Sequence, residues 1–327
     1  MVKITSEPTT APKKDWRSWL LTGFLYLAIL SAAGVCFASF FGRFHWRLDL
    51  LSHFRAQFTL CFVAFFFITL VTKRKKATVL AGIFTIFNLV PFLHYYPPPF
   101  PKSNSEERDL RVLTFNVLEN NPNHEKILNW ITTQDADIIL LQEYHPSWRK
   151  KMKSLEESHP HHYITAGYWN FGFAIYSKFP ITDKTREYFP EPHAAYTAIT
   201  IEVKETPLRI FNIHPSAPGT SHGFYFRNEY MDKLTEELQN SKTATIIAGD
   251  FNSTIFSSYF RKFQRDTGLK NASNGRGYHP TYSERHPIFG ITIDHILHSP
   301  KLECVGHETG PNSSSDHSPV VADFILD

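Results

Sequence analysis

The residues able to do chemistry in this 327-residue chain recur where apolar runs stop. Asn116 ends the run in TFNV, Glu143 that in LLQE, Asn212 and His214 that in FNIH, and Asp250 and Asn252 that in GDFN. Asp294 stands in TIDH, and Asp316 and His317 stand in SDHS. Carboxylates and imidazoles are the groups of general acid–base work, and carboxylate and amide oxygens are hard metal ligands. Oxygen donors without a Cys and His cluster favour Mg2+ or Mn2+ over structural zinc. Each residue alone also has a plainer reading. Asp250 with Asn252 could be a turn, Glu143 a cap for YHPSW, Asp316 a loop residue, and His214, just before Pro215, a buried hydrogen-bonded histidine.

The elements that must position these groups alternate in type from Asp109 onward. LRVLTFNV (110–117), DIILLQE (137–143), FGFAIYSK (171–178), AYTAITIEV (195–203) and PLRIFNIH (207–214) are rich in Ile, Val, Leu and aromatics and predict strands. ATIIAGD, ITIDHIL and HSPVVADF continue the series. HEKILNWITT (124–133) and FRNEYMDKLTEELQ (226–239) space their apolar residues by three and four, the helical signal. An apolar strand that ends on a carboxylate holds that group on rigid scaffold. If the ends converge they line one acidic, amide-rich pocket. The pattern predicts one α/β or α+β domain over 109–327.

Taken in order, TFNV, LLQE, FNIH, GDFN, IDHI and SDHSPV resemble the endonuclease/exonuclease/phosphatase superfamily, which includes deoxyribonuclease I, exonuclease III type repair nucleases, inositol polyphosphate 5-phosphatases and bacterial sphingomyelinases. The resemblance covers about residues 109–327 and implies two packed β-sheets flanked by helices, a four-layer α/β/β/α sandwich with the site at one end. It implies roles as well. Glu143 would be the main ligand of Mg2+ or Mn2+ with Asn116 beside it, and Asp316 would ligate metal or orient its neighbours. Asp250 would orient or deprotonate the attacking water, and Asn252 would hold the phosphate or that Asp. Asp294 and His317 would pair at the scissile phosphate, and His214 would protonate the leaving group. Arg227 lies where relatives often carry a basic residue.

That chemistry suits an anionic ester, where charge must be neutralised, a water placed in line and a leaving oxygen stabilised. Nothing in the set looks like a covalent nucleophile. Two departures narrow the substrate. The 5-phosphatases carry a Cys-Asp-Arg segment where this chain has Thr292-Ile293-Asp294-His295, and exonuclease III relatives usually have a tyrosine on the strand that here carries His214. An endonuclease-like enzyme acting on nucleic acid is therefore the first expectation and a phospholipid or sphingomyelin phosphodiesterase the alternative. A third reading, of another class, is a non-catalytic membrane receptor or scaffold that uses the fold for binding. Basic clusters at Arg149-Lys150-Lys151-Lys153 and Arg261-Lys262-Arg265 would either meet nucleic acid or anionic headgroups or be solvated helix faces.

The first third of the chain is of another kind. Residues 1–108 hold 13 Lys and Arg against 5 Asp and Glu, or +8; the remainder holds 21 against 26, or −5. Three apolar stretches, about 19–41, 56–72 and 77–96, predict membrane helices, the last interrupted by Asn88, Pro91 and His94. The first is too long for a signal-peptide core. Basic residues before the first stretch and at Lys73-Arg74-Lys75-Lys76 predict a cytoplasmic tail over 1–18 and a cytoplasmic turn. Three crossings then place the enzyme domain outside the cytoplasm, on a multi-pass anchor in the lipid bilayer. PPPFP opens a Pro-rich linker over 97–108. Of three cysteines only Cys304 lies in the polar part, so no disulfide framework forms there.

Overall fold

A computed structural model describes residues 16–96, 108–167, 172–189, 195–282, 289–311 and 314–326. Most of the expected tail and nearly all of the Pro-rich linker lie outside the described residues. Four helices come first: α1 (Trp16–Ala38), α2 (Trp46–His53), α3 (Arg55–Val71) and α4 (Lys75–Leu89), the last continued by a 3-10 turn, Val90–His94. There follow β1 (Leu110–Asn116), α5 (His124–Thr133), β2 (Ile138–Gln142), α6 (Pro146–Lys151), α7 (Leu155–Ser158), β3 (His161–Thr165), β4 (Phe173–Ser177), β5 (Ile181–Tyr188), β6 (Ala195–Val203) and β7 (Thr206–Ile213). The chain ends with α8 (Ser221–Gln239), β8 (Ala244–Asp250), α9 (Ser258–Thr267), β9 (Lys270–Asn271), β10 (Asp294–His298), β11 (Leu302–Thr309) and β12 (Val320–Leu326).

Two six-stranded sheets, in the orders β11-β12-β1-β2-β4-β3 and β5-β6-β7-β8-β10-β9, pack face to face. Their inner faces meet in a core that includes Val112, Leu140, Ile210, Ile246 and Ile296. Helices close both outer faces. On the first sheet Ile127 and Ile131 of α5 and Trp148 of α6 cover Phe115 and Leu141. On the second, Tyr230 and Leu234 of α8 and Phe260 and Phe263 of α9 cover Phe211 and Ile247. This is the four-layer α/β/β/α sandwich expected, built because each inner strand presents apolar side chains to both faces.

The register brings the polar ends together. β1 and β2 run parallel with Asn116 beside Gln142, so Asn116 and Glu143 leave the first sheet at the same end. β7 and β8 run parallel with Ile213 beside Gly249, which sets His214 next to Asp250. β10 runs antiparallel to β8, and its first residue, Asp294, pairs with the last of β8, Asp250. Strands entering the site from opposite directions therefore deliver their groups to one edge.

The N-terminal helices differ in part from expectation. Among the described residues two helical stretches, Trp16–Phe44 and Lys75–Leu93, are each long and apolar enough to cross a membrane, and the expected third is present only as the bent pair Trp46–His53 with Arg55–Val71. The stretch read as a span over 56–72 is α3, whose 17 residues reach only about 25 Å, short of a hydrocarbon core of about 30 Å. Its helix is broken at Phe54, where α2 turns away by 63°. The reason lies in α2 itself, whose polar side chains Asp49, Ser52 and His53 are buried. At the opposite end of the helices Arg74 donates to the Ser18 hydroxyl at 2.5 Å, joining the basic turn to the start of α1.

Candidate active site

Gly249 lets the site form. Its φ is +145°, and a Cβ there would lie 2.0 Å from the Ile213 carbonyl oxygen, so only glycine lets β8 pass this close to the end of β7. One residue later Asp250 points into the cleft while Phe251 packs into the outer core. The chain does not stay extended to Asn252, as alternation along a strand would predict. Asn252 has φ +47°, and its N–H donates to Asp250 Oδ1 at 2.8 Å, an Asx turn. Its side-chain amide donates to the Pro215 carbonyl at 3.0 Å, tying the Asp250 loop to the His214 loop. The pair therefore forms a turn, and that turn sets both side chains beside His214 and the Pro215 loop.

Asp250 is the hub. His214 Nε2 lies 3.4 Å and His317 Nε2 3.6 Å from its Oδ2, and Asn116 Nδ2 donates to the same oxygen at 3.3 Å. Behind His317, Asp294 accepts from Nδ1 at 2.9 Å, fixing the ring with Nε2 toward the cleft. The ring is held from other sides too. Tyr282 packs against it with centroids 4.9 Å apart and the rings tilted by 55°, and the His317 N–H donates to Ser315 Oγ at 3.1 Å. Thr281 Oγ1 accepts from the Asp294 backbone N–H at 3.1 Å.

Burial disfavours the charged forms of these groups, and their mutual contacts outweigh it. For His317 burial works against charge, but the carboxylates of Asp294 and Asp250 and the hydrogen bond to Asp294 raise its pKa to about 10. For His214 burial is likewise opposed, by the hydrogen bond and charge of Asp250 and by Glu143, and its pKa is raised. Burial would push Asp250 up, yet the two imidazoles hold it below the usual carboxylate range. His317 is thus charged at neutral pH, the His214 ring is biased toward its charged form, and both face the one carboxylate of Asp250.

Glu143 follows β2 directly with φ +56°, a turn that aims its carboxylate across to β1. It accepts from Asn116 Nδ2 at 3.0 Å and from the Glu119 backbone N–H at 3.1 Å. Asn116 therefore bridges Glu143 and Asp250, with its own Oδ1 accepting from the Leu118 N–H at 3.1 Å. Asp316 sits beside His317 and adds to that ring's positive bias; its Oδ1 is buried without a hydrogen-bond partner. A buried carboxylate oxygen left without a hydrogen-bond partner is a donor of the kind that suits a hard divalent cation. Among the described residues, the group of potential ligand atoms lying within 4.8 Å of one another is Asp250, Asp294 and His317. Of these, His317 carries its ring proton between two carboxylates.

Some residues singled out in the sequence stand elsewhere. Asn212 is a staple between the sheets. It donates to the carbonyls of Leu141 and Ala174 at 3.1 and 3.2 Å and accepts from Gln142 Nε2 at 2.6 Å. Arg227 is fully buried against Asp49 of α2 at 2.7 Å and reaches the Asn252 carbonyl at 3.5 Å. Thr281, Tyr282 and Ser315 were not anticipated. They lie outside the regular strands; Ser315 stands in the SDHS motif without having been singled out, and no pattern marked Thr281 or Tyr282.

Sheets stacked in this way, with acids, amides and imidazoles gathered at one edge, define a sandwich hydrolase for anionic substrates. The sequence profile described as the Endonuclease/Exonuclease/phosphatase family matches residues 113–317, more than half of the chain, and the chain belongs to that family. Its members are hydrolases of phosphoester bonds and are typically dependent on divalent metal. No curated protein matches the chain. Among solved structures, an endonuclease/exonuclease/phosphatase from Bacteroides vulgatus superposes with TM-score 0.58 at 17% identity, covering 68% of this chain and 100% of that one. Sphingomyelinase C from Streptomyces griseocarneus gives 0.52 at 17%, covering 65% and 98%. The human nocturnin catalytic domain with bound sulfate anion gives 0.54 at 20%, covering 67% and 94%. At these identities the likeness is one of fold.

Proposed function

We propose that the protein is a membrane-anchored, Mg2+- or Mn2+-dependent phosphodiester hydrolase in which water attacks phosphorus. The observation that carries this reading is Asp250 held between His214 and His317, with Asp294 behind the second ring. A divalent ion at Glu143, with Asn116 and Asp316 completing or orienting its surroundings, would neutralise phosphate charge. Asp250 orients the water, whose oxygen forms the new bond to phosphorus and whose proton passes to that carboxylate. His317, fixed by Asp294, donates a hydrogen bond to a phosphate oxygen. The bond to the leaving oxygen breaks as His214 protonates it, and the 3.4 Å contact between Asp250 and His214 then returns the proton and resets the pair. Asn252 holds the loops that carry both.

Of the two substrate classes, nucleic acid needs a free basic surface. The second basic cluster does not offer one, because Lys262 is paired with Asp232 and Asp266, and Arg265 with Asp266. The sandwich also rests directly on the anchor helices, which supports a lipid headgroup ester. The test is hydrolysis of bis-p-nitrophenyl phosphate by the detergent-solubilised full chain. Release of nitrophenol should require Mg2+ or Mn2+ and be lost in Asp250→Ala and Glu143→Ala. Equal rates in these variants would remove the assignment.

A further inference from the structure

We propose that the apolar groove between the anchor and the sandwich holds a hydrocarbon chain of the substrate, which makes the ester an amphiphile drawn from the membrane; this rests on the phosphodiesterase reading above. The groove has a volume of about 530 Å³, within the usual range for a small-molecule site. One wall is Leu60 of α3 with Leu89, Phe92 and Leu93 at the end of α4; the other is Tyr278 and Pro280 of the sandwich. Leu60, Leu89 and Leu93 are 58%, 46% and 64% exposed, so the wall is apolar and open.

The groove is built, not a gap between loosely placed parts. Gln57 donates to the Gly290 carbonyl at 3.1 Å and the Gly277 N–H donates to the Tyr95 carbonyl at 2.9 Å, closing it on two sides. Phe92 packs on Tyr278 at 5.3 Å and on Phe256 at 5.1 Å between centroids. Its location selects the occupant. Lys75–Leu93 is one of the two stretches able to cross a membrane, so the groove opens where that helix leaves the hydrocarbon layer, and the molecules at hand there are lipids.

Its inner end selects the chemistry. Pro280 lines the groove, and two residues further along the Tyr282 ring packs against His317. Two residues span at most about 7 Å of chain. The Thr281 hydroxyl between them accepts from the Asp294 N–H. Pro280 thus joins the groove wall to the residue that packs on His317, the route by which a chain held in the groove would bring its phosphate to the site. α3 and α4 supply half of the groove's wall.

The test uses the full chain in a rigid steroid-based detergent, too wide for the groove, with methyl, butyl and octyl p-nitrophenyl phosphates below their micelle-forming concentrations. Burial of each methylene should raise kcat/KM about fourfold until the groove is filled. In Leu60→Trp/Leu93→Trp, which narrows the groove, the ratio of octyl to methyl kcat/KM should fall at least about tenfold from its value in the parent protein. An unchanged ratio would overturn the proposal, since the chain dependence would then come from partitioning. So would a variant that changes oligomeric state with the ratio kept, which would make the groove a contact between two copies. If no ester is cleaved with Mg2+ or Mn2+, the phosphodiesterase reading fails by itself. Calorimetric binding of octyl against methyl phosphate then decides the groove: tighter octyl binding lost in the double variant supports it, and equal binding of the two refutes it.

Discussion

The contact between Asp49 and Arg227 lends itself to a quantitative test of how the N-terminal helices are joined to the sandwich. Both side chains are fully buried, 2.7 Å apart, and Asp49 also accepts from Ser257 Oγ at 2.8 Å while His53, one turn on, lies 3.6 Å away and contacts Thr254 Oγ1 at 3.1 Å. Asp49→Ala strands a buried guanidinium and a hydroxyl. Breaking one side of a buried pair costs about 3–5 kcal/mol, and the lost Ser257 hydrogen bond about 1 more. For a domain of this size each kcal/mol moves Tm by about 2–4 °C, so a fall of about 10 °C is expected when near-UV circular dichroism follows thermal unfolding of the full chain in detergent. Asp49→Ala/Arg227→Met leaves no unmatched charge and should recover at least ~2 kcal/mol of that loss. Additive single effects, or Tm within about 1 °C of the parent for Asp49→Ala, would refute the view that this pair fastens α2 to the catalytic loop.

Two further outcomes follow from backbone and titration. Gly249→Ala places a methyl 2.0 Å from the Ile213 carbonyl at a φ of +145°, so the variant should fail to give folded protein or lose more than about 10 °C in Tm; a parent-like melting curve would contradict the packing of β7 on β8. His295 is buried, with Nε2 on the Ser253 carbonyl at 2.9 Å and Nδ1 on Asn271 Nδ2 at 3.2 Å, and burial lowers its pKa to about 4. Because its folded pKa lies below the unfolded value of about 6.5, the unfolded chain takes up the extra proton first. Its contribution is full above pH 6.5 and is lost as pH falls toward 4, by about 1.4 kcal/mol per unit. Urea midpoints measured from pH 7 to 4.5 should fall less steeply in His295→Gln than in the parent, and identical slopes would show that this ring does not drive the loss.

How much could be read from the chain depended on where an element sits. β6, β8 and α5 lie where the residue pattern put them, because interior strands and one-sided helices carry dense apolar signals. The strands that escaped, β3, β5, β9 and β11, are the edges of the two sheets. β5, ITDKTREY, shows water a row of charged and polar side chains, as edge strands do, and so has no apolar alternation to find. α9 was missed because SYFRKFQRDT buries only Phe260 and Phe263. The site residues were legible as a set because each adjoins a strong strand signal. His317 and Asp316 are the exception, lying in the turn before β12, and only the motif around them betrayed their place. Asp49 had no signature at all: one carboxylate among the residues between two apolar stretches gives no hint of a partner 178 positions away. The same docking bends α2 from α3 and shortens the second expected span.

The central claim is that Asp250, held between two imidazoles, acts on the attacking water. The most direct measurement is kcat/KM of Asp250→Asn against the parent protein on bis-p-nitrophenyl phosphate with saturating Mg2+ or Mn2+, with Tm recorded on the same samples. Asn keeps the shape and one acceptor, so Tm should stay within about 5 °C, whereas loss of the proton acceptor should lower kcat/KM by about 1,000-fold. A folded Asp250→Asn that retains the parent's metal-dependent rate would contradict the account.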